Sequence, residues 1–390
     1  MKLPAIPSPM RLDHITPSLY EELRACPAKA TWSAGGERGG LPAHPVELLG
    51  VAFHRVMAAA QNGELGDQVE VRKLAARSLF DQIAESLHHD AHPLVRLKFP
   101  TGQRLPYYNL LRERAALLAS LVESLPSATG GAGGSPPTMS ERRFCSTDGS
   151  IVGRPDLLDV YRAEVVDYKT GQAMEDPSVV LDREARQLRL YAYLASEAGI
   201  EITRGTIVRG DGARASIEIS KEAADQEADR ARRAMNDYNA GIDSSSFAEL
   251  ARPSPDACQN CPCIPLCEAF WDAADPQWFK ESTVQHIEGT VIELEEVTLQ
   301  GVPVATLRIE VLRGTVEREA GVLEQIPVNW FTADGDHAPT PGDVVRLVNG
   351  HVTHPHEPMI VRADRTMTSI WRIVGKHGSL QNIAAAHDPH

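Results

Sequence analysis

Gly153-Arg154-Pro155-Asp156-Leu157-Leu158-Asp159-Val160, a break at Tyr161-Arg162-Ala163, and then Glu164-Val165-Val166-Asp167-Tyr168-Lys169-Thr170-Gly171 form the stretch on which the chain turns. It reads as two short strands joined near Arg162-Ala163. Strand side chains alternate faces, so Asp167 and Lys169 share one side while Tyr168 points to the other. With Asp156 at the start of the first strand, two carboxylates and an amine converge. Adjacent carboxylates are costly unless a cation neutralises them, and hard oxygen ligands suit Mg²⁺ or Mn²⁺. A lysine beside such an ion orients or helps deprotonate a water, which is the equipment of metal-assisted phosphodiester hydrolysis. An Asp-x-Lys tripeptide alone serves equally well as a surface ion pair closing a hairpin, so its company decides the reading.

That company is ordered. His54, in Gly50-Val51-Ala52-Phe53-His54, lies on the helical pattern Val46 to Gln61, and a neutral imidazole completes a carboxylate site, particularly for Mn²⁺. Gln187 and Tyr191 fall four apart on the helical stretch Leu181 to Ala198 and share a face. A helical His, a Gly-x-x-Asp strand, an Asp-x-Lys strand and a Gln-x-x-x-Tyr helix, in that order, resemble the RecB-type branch of the PD-(D/E)xK nucleases. The resemblance spans residues 10 to 275. It implies an α/β restriction-endonuclease-like core with helical insertions. It also implies a divalent ion held by His54, Asp156 and Asp167, with the Tyr168 carbonyl as a further ligand. Lys169 would place the water or meet transition-state charge, and Gln187 and Tyr191 would support the site and contact the substrate strand. Glu141, on the preceding strand, reads as either an extra acidic group near the metal or a solvated strand end.

Four of the six cysteines crowd into Cys258-Gln259-Asn260-Cys261-Pro262-Cys263-Ile264-Pro265-Leu266-Cys267. They are too clustered for a disulfide framework and point to a reduced, metal-binding use. Thiolates suit Zn²⁺ or an iron-sulfur cluster, so ligand type leaves both open. A zinc knuckle would close locally on Cys258, Cys261, Cys263 and Cys267 and leave Cys26 idle. The iron-sulfur subgroup of the RecB-type nucleases instead joins one N-terminal cysteine to three C-terminal ones around a [4Fe-4S] cluster. The resemblance therefore implies Cys26, Cys258, Cys261 and Cys267 as ligands, with Cys263 a departure. Cys26 ends a short helix that Ser18 is expected to cap, since Pro27 disfavours helix in the residue before it.

The net charge of -14 over 390 residues argues against a protein that coats nucleic acid by bulk electrostatics. Any DNA contact is a local basic track, or the catalytic metals offset the acidic site; Arg183, Arg186 and Arg189 on the Gln187 helix are either such a track or a solvated face. No apolar run approaches the roughly eighteen residues of a membrane span, and Met1 to Leu19 lacks a signal-peptide core, so a cytoplasmic location is expected. Helices are predicted over Val69–His89, Tyr107–Leu125 and Lys221–Asn239, and a hairpin around Asp148-Gly149. The glycine-rich segment 126–138 reads as a flexible loop within a nuclease domain over 1–278. Residues 279–390 carry five alternating stretches, with turns at Asp334-Gly335, Pro341-Gly342 and Asn349-Gly350, and predict a small OB-like β-barrel. Trp330, Phe331 and Trp371 are its few candidate stacking aromatics. The expected function is a Mg²⁺- or Mn²⁺-dependent DNA exonuclease or end-processing enzyme acting on single strands or strand ends. The resembling relatives often work beside a helicase in repair, replication or CRISPR spacer acquisition. The rival is a non-catalytic DNA-end or partner-binding module that keeps the fold and cluster.

Overall fold

The computed structural model describes residues 6, 8–35, 41–122, 138–170, 176, 178–259, 261–279, 282, 284–299, 302–316, 320–327, 338–354, 359–362 and 368–373. The segment expected over 126–138 lies outside them except for Thr138, as do Trp330, Phe331 and the Asp334-Gly335 turn.

The chain opens with helices α1 (Pro17–Ala25), α2 (Pro27–Ala34), α3 (Pro45–Gln61), α4 (Val69–His89), α5 (Pro93–Lys98) and α6 (Tyr108–Leu121). Prolines open α1, α2, α3 and α5, where the ring fits φ and the missing N–H has no intrahelical partner to lose. Because Pro17 is already helical, Thr16 and not Ser18 caps α1, its hydroxyl accepting from Leu19 N at 3.1 Å. Cys26 stands extended between α1 and α2.

Next come β1 (Thr138–Ser140), β2 (Phe144–Cys145), β3 (Val152–Gly153), β4 (Leu157–Asp159), β5 (Glu164–Lys169), α7 (Asp182–Glu197), β6 (Arg204–Arg209), β7 (Arg214–Glu218), α8 (Lys221–Gly241), α9 (Phe247–Leu250), α10 (Pro255–Cys258) and α11 (Glu268–Ala273). A five-stranded sheet runs β1-β4-β5-β6-β7, with β5 and β6 parallel across the α7 crossover and the other pairs antiparallel. This is the expected mixed α/β core. β5 is buried from Glu164 to Tyr168 because helices cover both faces. Val165, Leu158 and Ile207 face α1, α7 and α8, whereas Val166, Tyr168 and Val208 face α3, α4 and α6. The predicted hairpin forms with each arm broken: β2 pairs with β3, and β1 separately with β4. One break is Glu141, at φ 51; the other is Arg154-Pro155-Asp156, where Pro155 has no N–H for a ladder.

The rest of the chain forms β8 (Val284–Leu299), β9 (Val302–Gly314), β10 (Ala320–Pro327), β11 (Val344–His354), β12 (Met359–Arg362) and β13 (Ser369–Ile373). The sheet order is β12-β10-β9-β8-β11-β13, and β12 also pairs with β11. β10 and β12 are parallel and the remaining pairs antiparallel. Asn349-Gly350 is no turn: it lies inside β11, where the register shifts and Asn349 takes φ 58, the mark of a bulge. Trp371 is 1 % exposed and packs with Val348 into the core of the first sheet, so it offers no face for stacking.

This second sheet grips the cysteine-rich segment through a buried charge network. Arg346, 1 % exposed, donates to Glu288 Oε2 at 2.6 Å and Pro265 O at 2.7 Å and lies over the Trp271 ring. Arg313 donates to Glu288 Oε1 and Glu268 Oε2, both at 2.7 Å. Among the described residues no helix is long and apolar enough to cross a membrane.

Candidate active site

β5 presents Asp167 toward α7 and ends on Lys169. The register that pairs Leu157 with Val166 brings Asp156 alongside Asp167. Asp156 is fixed twice: Oδ2 accepts from the Tyr168 backbone N–H at 2.6 Å, and Oδ1 meets His54 Nδ1 at 3.0 Å. His54 is held over the sheet by α3, which Gln61 anchors at its far end by donating to the Tyr168 hydroxyl at 2.8 Å. The Tyr168 side chain thus faces away from Asp167, as strand alternation requires.

Asp167 is 3 % exposed. Its Oδ1 accepts from Gln187 Nε2 at 2.9 Å, and Lys169 Nζ stands 2.7 Å from Oδ2. Lys169 Nζ also donates to Gln187 Oε1 at 2.8 Å, and Gln187 Nε2 reaches the Tyr191 hydroxyl at 3.1 Å. Asp156, Asp167, Lys169, Gln187, Tyr191 and His54 all line one open cleft of about 790 Å³.

Electrostatics follow from crowding. Burial raises the Asp167 carboxyl and the charge of Asp156 adds to this, while Lys169 opposes both. Burial works against charging His54, but the hydrogen bond and charge of Asp156, with Asp167 and Glu141 beyond, outweigh it and hold the imidazole above its usual range. Burial and then the Asp167 charge raise Tyr191, which stays a neutral phenol.

Glu141 belongs to this site more closely than its sequence context suggests. Ligand atoms of His54, Glu141 and Asp156 all lie within 4.8 Å of one another, the only such trio among the described residues. Burial and then the Asp156 charge raise its carboxyl. Its left-handed φ of 51 is a conformation that side-chain-bearing residues hold only where the surroundings demand it. The acidic residue just after a strand was the available signal. The donor set suits a divalent cation: two carboxylates and an imidazole lie together, with the buried Asp167 carboxylate paired to Lys169 beside them.

The arginines of α7 divide. Arg186 donates twice to Glu21 at 2.6 Å, and Arg189 lies 3.8 Å from Glu227, so both are engaged within the protein. Arg183 is exposed.

The chain brings Cys26 to the C-terminal cysteines: Cys26, Cys258, Cys261, Cys263 and Cys267 line one small cavity. Arg252 N donates to Cys26 Sγ at 3.4 Å. Cys263 hydrogen-bonds Cys261, which lowers the Cys261 thiol, while that bond and burial raise Cys263. Burial pushes Cys258 up to about 12 and Cys267 up to about 11.

The profile of the PD-(D/E)XK nuclease superfamily matches residues 14–268, which hold the first sheet, its helices and all of the cysteines named above. No curated protein matches the chain.

Proposed function

Because the chain belongs to the PD-(D/E)XK nuclease superfamily, we propose that it is a metal-dependent deoxyribonuclease of the RecB type that processes DNA from strand ends. The observation that carries this reading is the closed unit of Asp167, Lys169 and Gln187 facing the His54–Asp156 pair across one cleft. His54, Asp156 and Asp167 would hold Mg²⁺ or Mn²⁺, with the Tyr168 carbonyl as a further ligand and Glu141 beside them. Such an ion would supply Lewis-acid chemistry at the scissile phosphate and to the attacking water. Lys169, steadied by Gln187, orients the attacking water and meets negative charge developing on the phosphate. Gln187 ties Lys169, Asp167 and Tyr191 into one geometry, so Tyr191 positions the group that positions the lysine.

The cysteine cavity is read as a [4Fe-4S] site held by Cys26, Cys258, Cys261 and Cys267, with Cys263 spare. Support comes from Cys26 lining that cavity from the other end of the chain. The protein purified anaerobically should be brown with about four irons per chain. Cys26→Ala should lose the colour and Cys263→Ala keep it; a colourless protein with one zinc, indifferent to Cys26→Ala, would sink this part.

Residues 279–390 are proposed as an OB-like unit that packs on a nuclease domain over 1–278. The parallel β10–β12 pair and the β12–β11 pair support that reading. The function is tested with end-labelled linear DNA in Mn²⁺, Mg²⁺ or EDTA. Wild type should degrade it only with metal, and Lys169→Ala should not. Equal degradation by both would reveal a contaminant and remove the claim.

A further inference from the structure

A second cavity, of about 600 Å³, adjoins the catalytic cleft. Glu47 lines both, and Thr170, which lines the cavity, directly follows Lys169. Three parts of the chain build its walls: the start of α3, one side of α6, and the second sheet with the cysteine-rich segment. The second sheet contributes Val284, Val348 and Asn349, residues beyond the span that the family profile covers.

Two side chains, one at the N-cap of α6 and one on the helix, give the cavity its chemistry. Tyr107 caps the helix at φ 66 with no side-chain hydrogen bond, 49 % exposed, and its ring makes no ring contact among the described residues. A non-glycine residue in that left-handed conformation carries strain that a freely chosen cap would avoid. Two helical turns on, Arg114 lies across Gly210, where a Cβ would stand 2.9 Å from its Cδ, and reaches Thr170 O at 3.5 Å. It makes no ion pair among the described residues, in a chain of net charge -14. An open aromatic ring and an arginine without a carboxylate partner, over largely apolar walls with Glu47 at the side shared with the phosphodiester-cleaving cleft, suit a ligand that is aromatic and anionic. Pockets of roughly 300–1,000 Å³ take ligands of nucleotide size.

We propose that this cavity is a base-binding subsite: an unpaired nucleotide neighbouring the cleaved one stacks its base on Tyr107 while Arg114 meets its phosphate. The proposal rests on the nuclease reading and sharpens it. A base inside a walled cavity cannot be paired, so the substrate is single-stranded at that nucleotide, taken as DNA on the nuclease reading, and the second sheet completes the substrate path.

The test is fluorescence anisotropy of labelled dT12, with full-length protein in EDTA, alongside a 12-base-pair duplex and rU12. Tyr107→Ala should weaken dT12 binding about 5- to 150-fold, the range for one lost base stack, while Tyr107→Phe stays near wild type. Tyr107→Gly relieves the backbone strain but lacks the ring, so it should bind as poorly as Tyr107→Ala even where its melting temperature rises. Arg114→Gln should lower the slope of log affinity against log salt by about 0.7, the value of one single-strand phosphate contact. Unchanged dT12 binding in Tyr107→Ala and Arg114→Gln, with wild type cleaving DNA in Mn²⁺, would overturn the subsite and leave the nuclease standing. Tighter binding of the duplex or of rU12 than of dT12 would overturn the single-stranded DNA assignment. A wild type that binds dT12 through Tyr107 yet never cleaves would fail the nuclease reading instead.

Discussion

Glu141 and Asp156 set two carboxylates within 4.8 Å beside one imidazole, and like charges so placed repel. Replacing Glu141 by Gln removes that repulsion without changing shape. The metal-free protein should melt no lower than wild type, while half-maximal cleavage should need at least about tenfold more Mn²⁺, as for lost groups around other metal sites. A lower melting temperature with unchanged metal demand would make Glu141 structural. The residues Asp156, Asp167, Lys169, Gln187 and Tyr191 were legible because chemistry and spacing coincide in them. Glu141 was legible only as one of two alternatives, since its place depends on a break in the strand that a period-two pattern does not reveal. His286 was hidden: it is buried against Phe270 and Phe279, and burial lowers its pKa to about 4. A histidine depressed in the folded state leaves stability intact above its usual 6.5. Stability then falls as the pH drops from there toward 4, because the unfolded chain takes the proton first. Urea melts should lose up to about 3 kcal/mol over that window. His286→Phe should flatten the loss, and an unaltered slope would place the acid sensitivity elsewhere.

Helices α3, α4 and α7 and strand β5 could be read almost to their ends, because long apolar periodicity and proline or glycine punctuation agree there. β7 and β13 escaped notice: both are short edge strands, and their pairing is decided by neighbours distant in sequence. How α7 sits on the sheet was likewise invisible, although it aims Gln187. Two glycines permit the approach. A Cβ on Gly153 would stand 2.7 Å from Leu194 Cδ1 and 3.0 Å from Tyr191 Cε1, and one on Gly205 would meet Leu188 Cβ at 2.9 Å. Gly153→Ala should therefore push α7 outward, cost about 1–3 kcal/mol by overpacking, and lower the cleavage rate through the displaced Tyr191. Full activity with wild-type stability would mean the helix has slack at this contact.

The last hundred residues read as a self-contained β unit, and their own core, with Leu307, Ile309 and Val345, fits that. What sequence could not disclose is how much this unit covers. Val348 and Trp371 enter the first core, and Arg346 joins Glu288 to Glu268 across 78 residues of chain. No local pattern marks such partners. A chain ending at Pro276 would uncover Phe270 and Trp271, which are 0 % and 1 % exposed in the whole protein. It should aggregate where the full chain stays in solution, and a well-behaved truncated protein with normal cleavage would show the sheet to be dispensable. The central claim, however, is that one divalent ion sits among His54, Asp156 and Asp167 and that Lys169 acts beside it. Calorimetric titration of Mn²⁺ into wild type, Asp156→Asn, Asp167→Asn and Lys169→Ala tests it most directly. Wild type and Lys169→Ala should bind the ion, the latter without cutting DNA, and both aspartate variants should lose it. Wild-type Mn²⁺ binding in Asp156→Asn and Asp167→Asn would contradict the account.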